Sequence, residues 1–192
     1  MTRPFFDYAA PVVYPNYSPT SIQRLQLVQN RCLRLIIGAH NAASTDHLHS
    51  ETEILPVGRH LHLLSSQFLA SAMCPSHPSH HLVVTPPPPS HRKIKNTLRT
   101  KCWDSVSDFL QDGIIPAGRV REAQRDIHTR VVSEARESST NRVLGTTPPS
   151  IDASEKTLPR KTRAILSQLR SGHCSRLNDF QLRIGSADSD LS

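Results

Sequence analysis

The 192 residues carry 16 carboxylate side chains and 11 histidines, and their spacing decides which reactions are open to the chain. Phosphodiester chemistry with two metal ions needs several carboxylates converging on divalent cations. No Asp-Asp pair occurs: Asp7, Asp46 and Asp104 stand alone in unrelated contexts, and Asp188 with Asp190 lies in a Ser-rich tail. The histidines offer no better ligand set. His60 and His62 are two apart on a predicted helix, roughly 160° from each other around its axis, so they cannot share one ion, and His47 with His49 has the same defect if helical. His77, His80 and His81 sit in a Pro- and Ser-rich stretch with only Cys74 nearby, a weak transition-metal set at most. His173 adjoins Cys174, but neighbours in sequence do not make a nucleophile and base, and no acid is placed to orient the imidazole. No catalytic residue and no metal ligand is assigned.

Anion binding is the chemistry that the spacing does support. Lys and Arg number 23 against the 16 acids, a net charge of +7, and the excess is clustered. Arg92, Lys93, Lys95, Arg99 and Lys101 follow one another with no acid among them, and so do Lys156, Arg160, Lys161, Arg163, Arg170 and Arg176. Such patches neutralise phosphates and give salt-dependent, largely sequence-independent affinity for nucleic acid. The bland alternative is a solvated face that keeps the chain soluble.

A third cationic group lies on a helix. From Pro19 onward Ile22, Leu25, Val28, Cys32, Leu35 and Ile36 recur at threes and fours, with Ser18 or Thr20 to cap the start and Gly38 to close the end. At about 100° per residue these apolar positions fill an arc of roughly 160°, expected to pack, and Arg24, Arg31 and Arg34 fall within roughly 80° of each other outside it. The candidate nucleic-acid contacts are therefore Arg24, Arg31, Arg34, Arg92, Lys93, Lys95, Arg160, Lys161, Arg163 and Arg170.

The elements that must position them read as helix, linker, helix, linker, helix, a mainly α chain. Residues 1–18 read as an extended approach and a turn. The segment 19–73 holds the first helix, a short helical turn near STDHLHSET, and a second long helix whose Val57, Leu61, Leu64, Phe68 and Ala72 form a stripe expected to dock on the first. A Pro- and His-rich linker covers 74–95, where Pro86 to Pro89 favour an extended polyproline run. Helix returns in 96–138, with Trp103 as packing anchor, DGIIPAG as a turn, and Val120, Ile127, Val131 and Ala135 as the stripe of a surface helix. Residues 139–157 read as a disordered linker, 158–185 as a helical pair (158–169 and 177–184), and 186–192 as a disordered tail.

Composition agrees with small helical units joined by loose connectors. Apolar residues make up 36% of the chain and aromatics 5%, and 15 prolines interrupt what core remains, so marginal stability in isolation is expected. No apolar run reaches the length of about 18 residues that a membrane span needs, and the start lacks a secretory pattern. An intracellular location, nuclear or cytoplasmic, follows as the default. Cys32, Cys74, Cys102 and Cys174 form no CxxC pair and read as free thiols, Cys32 within helix packing.

DYAAPVVYP followed by SIQRLQLVQNRCLRLIIGA resembles the region after the palm in reverse transcriptases of non-LTR, LINE-type (jockey-like) retrotransposons, where the polymerase thumb begins. ETEILPVGRHLHLLSSQFLASA, NRVLGTTPPSIDASEKTLPR and RSGHCSRLNDFQLRIG continue the likeness in the same order. The resemblance implies a small helical thumb-like bundle in 19–73, a palm/thumb junction in 1–18, and a second, loosely packed helical region beyond the linker. It further implies that the Arg24, Arg31 and Arg34 helix lies along an RNA template and DNA primer, beside the palm and fingers of a parent polymerase. The paired palm aspartates of that family are missing, so no cofactor is expected in this chain and Mg2+ belongs only to the missing palm. The family's C-terminal cysteine and histidine cluster is missing too, which marks the chain as an internal piece of a larger protein. The alternatives are a decayed transposon reading frame without selected activity, or a basic chain that binds nucleic acid nonspecifically. A retained endonuclease or ribonuclease H activity would need carboxylates clustered on strands, and neither is found.

Overall fold

A computed structural model describes residues 7–84, 97–139 and 151–174. Of these residues 73% are helical, which makes the chain mainly α. The helices are α1 (Ala10–Val13), α2 (Pro19–Ile37), α3 (Thr45–Thr52), α4 (Val57–Ala72), α5 (His80–Val84), α6 (Leu98–Val106), α7 (Val120–Glu137) and α8 (Arg160–Arg170), with 3₁₀ turns at Tyr14–Asn16, Ser107–Phe109, Ala117–Arg119 and Ala153–Thr157. They fall into two compact units, one made of Met1–Gln23 and Val57–Ser133, the other of Arg24–Pro56 and Glu134–Ser192. This grouping divides the 19–73 segment between the two units, and α4 packs chiefly with α6 and α1. The reason lies in α4 itself. Besides Leu61 and Ala72 it buries Leu63, Ser65, Ser66, Leu69 and Ala70, so more than the one predicted stripe finds partners.

In the first unit the approach to α2 is helical where extended chain was expected. Pro11 and Pro15 each occupy the first turn of their element, where a missing N–H costs nothing and the fixed φ favours helix. Ala10, Leu61, Leu69, Met73, Cys102, Val106, Ile115, Ala123 and Ile127 are buried apolar side chains of this unit. Trp103 is only half-buried, and the Arg99 guanidinium lies over its ring at 4.5 Å, so Cys102 and Val106 are the inward residues of α6. Polar ties finish the packing. His62 meets Ser105 Oγ at 3.0 Å through Nε2 and Tyr14 OH at 3.4 Å through Nδ1, and His60 meets Asp7 at 2.8 Å. The two imidazoles thus serve different partners. DGIIPAG makes the expected turn: Asp112 and Gly113 both take positive φ between the bridged Gln111 and Ile114, and Ile115 N–H donates to Met73 C=O at 3.1 Å. α7 buries Ala123, Ile127 and Val131 along the predicted stripe.

The ends of α2, which begins in the first unit and runs on into the second, are where its sequence puts them. Ser18 Oγ accepts from Ser21 N–H at 3.1 Å, Pro19 opens the helix, and Gly38 closes it at φ +69°. The buried face differs from the expected one. Asn30 and Leu33 are the buried residues, whereas Val28, Leu35 and Ile36 are exposed, and Cys32 is an exposed thiol outside any helix packing. α2 carries apolar residues around most of its circumference, and periodicity alone could not single out a side. A polar network chose it: Gln26 Nε2 donates to Asn30 Oδ1 at 2.7 Å and meets His49 Nε2 at 2.8 Å, while His49 Nδ1 faces Ile54 C=O at 2.7 Å. α3 is a full helix of eight residues, capped by Ser44, whose Oγ accepts from His47 N–H. Part of the expected linker 139–157 is also regular, since Asp152 caps the 3₁₀ turn Ala153–Thr157. Pro86 to Pro89, the predicted helix at 177–184 and the tail 186–192 lie outside the described residues.

Gly38 and Gly113 both hold left-handed backbone, but a Cβ at Gly38 would stand 2.8 Å from Ala164 Cβ, whereas one at Gly113 would meet nothing within 4 Å. Gly113→Ala is expected to cost about 1 kcal/mol from backbone strain alone, and Gly38→Ala roughly twice that or more, because α8 must shift as well. Urea denaturation of both variants checks the order; equal destabilisation would mean that Ala164 yields freely.

Candidate nucleic-acid interface

The second unit is assembled by α8, whose side chains reach the segments before it at four places. At its start Arg160 Nη2 donates to Leu35 C=O at 2.9 Å, supplying a donor to the unpaired carbonyls at the end of α2. One turn on, Ala164 lies against Gly38, and Gln168 Nε2 donates to Gly38 C=O at 2.9 Å. Ser167 Oγ lies 3.1 Å from His47 Nε2, and Arg170 Nη1 donates to Glu51 Oε1 at 2.6 Å while Nη2 donates to Glu155 Oε2. His47 and Glu51 are four apart on α3, and Ser167 and Arg170 three apart on α8, so each pair shares one face of its helix.

This seam settles which of the candidate cations are free. Arg170 is held by two carboxylates and so serves the seam between α3, the 3₁₀ turn and α8. Arg34 is likewise turned inward: its Nη2 donates to Ala43 C=O at 3.1 Å and its Nε is buried without a hydrogen-bond partner. In both, a carbonyl or carboxylate far along the chain engages the guanidinium. Arg24 and Arg31 are exposed on α2, roughly opposite its buried Leu33, with Leu27, Val28 and Leu35 exposed beside them. Arg160, Lys161 and Arg163 are exposed on α8. Arg92, Lys93 and Lys95 lie outside the described residues.

The hydrogen bond from Arg160 to Leu35 joins two of these groups. Leu35 is one helical turn from Arg31 and on the same side of α2, so cations separated by well over a hundred residues of sequence share one region of the second unit. Beside them is an open cleft of about 380 Å³, walled by Ile36, Ile37, Ile54 and Ile151, with Lys156, Arg160 and Arg163 also lining it. Sequence reasoning missed the cleft and the acids Glu51 and Glu155 at its side. The helical spacing of His47 and Glu51 was the one local signal, and it says nothing of the partner helix.

Burial gives the seam its own electrostatics. His47 is pushed down to about 4 by desolvation, with the Arg170 and His173 charges acting the same way. Glu51 is pushed up from the ordinary carboxylate value by burial, which outweighs the pull of Arg170. His173, itself buried, stacks on His40 at a centroid distance of 5.9 Å. Among the described residues no three His, Cys, Asp or Glu side chains converge on a point that could hold a metal ion. No helix among them is long and apolar enough to cross a membrane.

Two outcomes follow for stability. The unfolded chain protonates His47 as pH falls through 6.5, the folded chain only near about 4, so the second unit loses stability across that window, by up to ~3 kcal/mol, and none of this decline is present above it. Amide hydrogen exchange in α3 and α8 between pH 7 and 4.5 should show the decline, and His47→Gln should flatten it; an unchanged slope in the variant would place the titration elsewhere. Arg170→Ala strands Glu51 and Glu155 together and should lower the opening free energy of the same amides by on the order of 3 kcal/mol, with Arg170→Lys recovering only part because an ammonium cannot fork to two carboxylates.

No protein-family model, curated protein or solved structure matches the chain.

Proposed function

We propose that this chain binds nucleic acid through backbone phosphates, as the non-catalytic thumb and post-thumb part of a non-LTR retrotransposon reverse transcriptase. The observation that carries the binding half of this reading is the Arg160 to Leu35 hydrogen bond, which brings the start of α8 to the end of α2, one helical turn from Arg31. Arg24, Arg31, Lys161 and Arg163 are exposed and make no ion pair among the described residues, so their charge is available to a polyanion. The retrotransposon half rests on the order of sequence segments given above. In this reading the chain positions an RNA template and DNA primer, and bond making with Mg2+ belongs to the palm and fingers of the parent polymerase. The mechanism is electrostatic: phosphate contacts fix position and register and carry no sequence information.

Fluorescence anisotropy with an RNA/DNA primer-template and a matched single strand, titrated across salt, tests the reading. Binding with a steep salt slope and preference for the duplex is expected. Arg24→Glu with Arg31→Glu, and separately Lys161→Glu with Arg163→Glu, should each flatten that slope by up to about 0.9 for every phosphate no longer neutralised. A slope that neither pair alters would remove this surface from the interface, and no binding at low salt would end the proposal. Arg34 and Arg170 are unsuitable for the test, because their removal acts through folding.

A further inference from the structure

The cleft of the second unit differs from the surface around it in one respect. Phosphate contact alone calls for cations on an open face, yet here cations border an apolar recess. Ile36, Ile37, Ile54 and Ile151 come to it from the end of α2, the strap after α3 and the segment before the Ala153–Thr157 turn, and the last three are only half-buried. Ile36 is openly exposed. The two acids at the cleft, Glu51 and Glu155, are both engaged by Arg170, whereas Lys156 and Arg163 have no ion pair among the described residues. An occupant that combines an apolar body with negative charge matches this lining. At about 380 Å³ the space lies near the small end of the range of roughly 300–1,000 Å³ for small-molecule sites. That suits one base with its sugar and phosphate. Thr52 also lines the cleft, and since its hydroxyl donates to Leu48 C=O at 2.7 Å, its oxygen offers only acceptor capacity to a newcomer.

We infer that this cleft takes a single unpaired nucleotide, its base against the isoleucines and its phosphate against Lys156, Arg160 and Arg163. The inference rests on the nucleic-acid reading above and deepens it, because Arg160 belongs both to the cleft and to the junction with α2. The same chemistry is presented by a free nucleoside monophosphate and by an unpaired nucleotide of a bound strand, at its end or extruded from it. Base unstacking is then compensated by apolar contact, as in other sites that accept a single base.

Methyl NMR of the full chain labelled at isoleucine δ1 carbons separates the possibilities. The probes are AMP, inorganic phosphate, a duplex with a one-nucleotide overhang, and the same duplex with an abasic overhang. AMP and the intact overhang should move the Ile36, Ile37, Ile54 and Ile151 methyls, and phosphate and the abasic overhang should leave them nearly still. Ile36→Glu, at an exposed position where folding is little affected, should weaken the AMP response at least about tenfold, or 1.4 kcal/mol. Still methyls in the presence of an overhang duplex that binds by anisotropy would overturn the cleft inference and leave the backbone-binding reading intact. Methyls moved by AMP while no duplex binds would support a free-nucleotide site and overturn the strand reading. Equal response to phosphate and AMP would overturn the base contact.

Discussion

Arg170 is the point on which the second unit depends. A guanidinium drawn from water is tolerated only where carboxylates meet it with good geometry, and here Glu51 from α3 and Glu155 from the 3₁₀ turn before α8 both do so. The three elements cannot slide independently without separating a charge from its partners. Once Arg170 is placed, the register of α8 follows: Ser167 falls beside His47, Ala164 against Gly38, and Arg160 against the last carbonyls of α2. An isolated helix of the length of α8 is marginal in water. Docking therefore accounts for its order, and the same docking fixes where its exposed cations stand.

Charge of one type thus divides into two populations that composition counts together. Arg34 and Arg170 commit their donors to an internal carbonyl and to internal carboxylates. Arg24, Arg31, Lys161 and Arg163 remain at the surface. A net charge of +7 says little about partners until that division is made, and the reading of a nucleic-acid surface is stronger with four available cations in one unit than with a longer roll from sequence. The exposed Leu27, Val28 and Leu35 between the arginines of α2 show that this face is not a uniform electrostatic strip.

What could be read in advance was governed by local chemistry. The ends of α2 were legible because a serine cap, a first-turn proline and a glycine act within one turn of the residues they affect. The stripe of α7 was legible because its other positions are charged, and Asp112-Gly113 because few residues accept two successive positive φ values. The buried face of α2 was not, since apolar residues nearly surround it and the decision came from Gln26, Asn30 and His49, polar groups that periodicity ignores. The ion pairs of Arg170 were not legible for a related reason: its partners lie 119 and 15 residues away, and nothing at 170 announces them. The sole tryptophan invited the role of core anchor, yet its size is matched by a stacked Arg99 at the surface, and smaller Cys102 and Val106 turn inward.

The two units consequently respond to their surroundings in different ways. The first buries leucine, isoleucine, valine and methionine, and apolar area contributes most of its cohesion, with His60 and His62 tied to Asp7, Ser105 and Tyr14 at its side. The second buries His47, Ser167, Ser171, His173 and Asn30 around a few apolar residues, with an ion-paired seam through the middle. Its cohesion depends on protonation state. It also carries the exposed Arg24, Arg31, Lys161 and Arg163, and repulsion among like charges opposes compactness. A polyanion bound there favours the folded form over the unfolded one by mass action, by an amount that grows with its concentration relative to Kd. Under the proposed reading, binding and order in this unit are coupled, because the surface proposed to hold phosphate belongs to the unit whose seam depends on ion pairs.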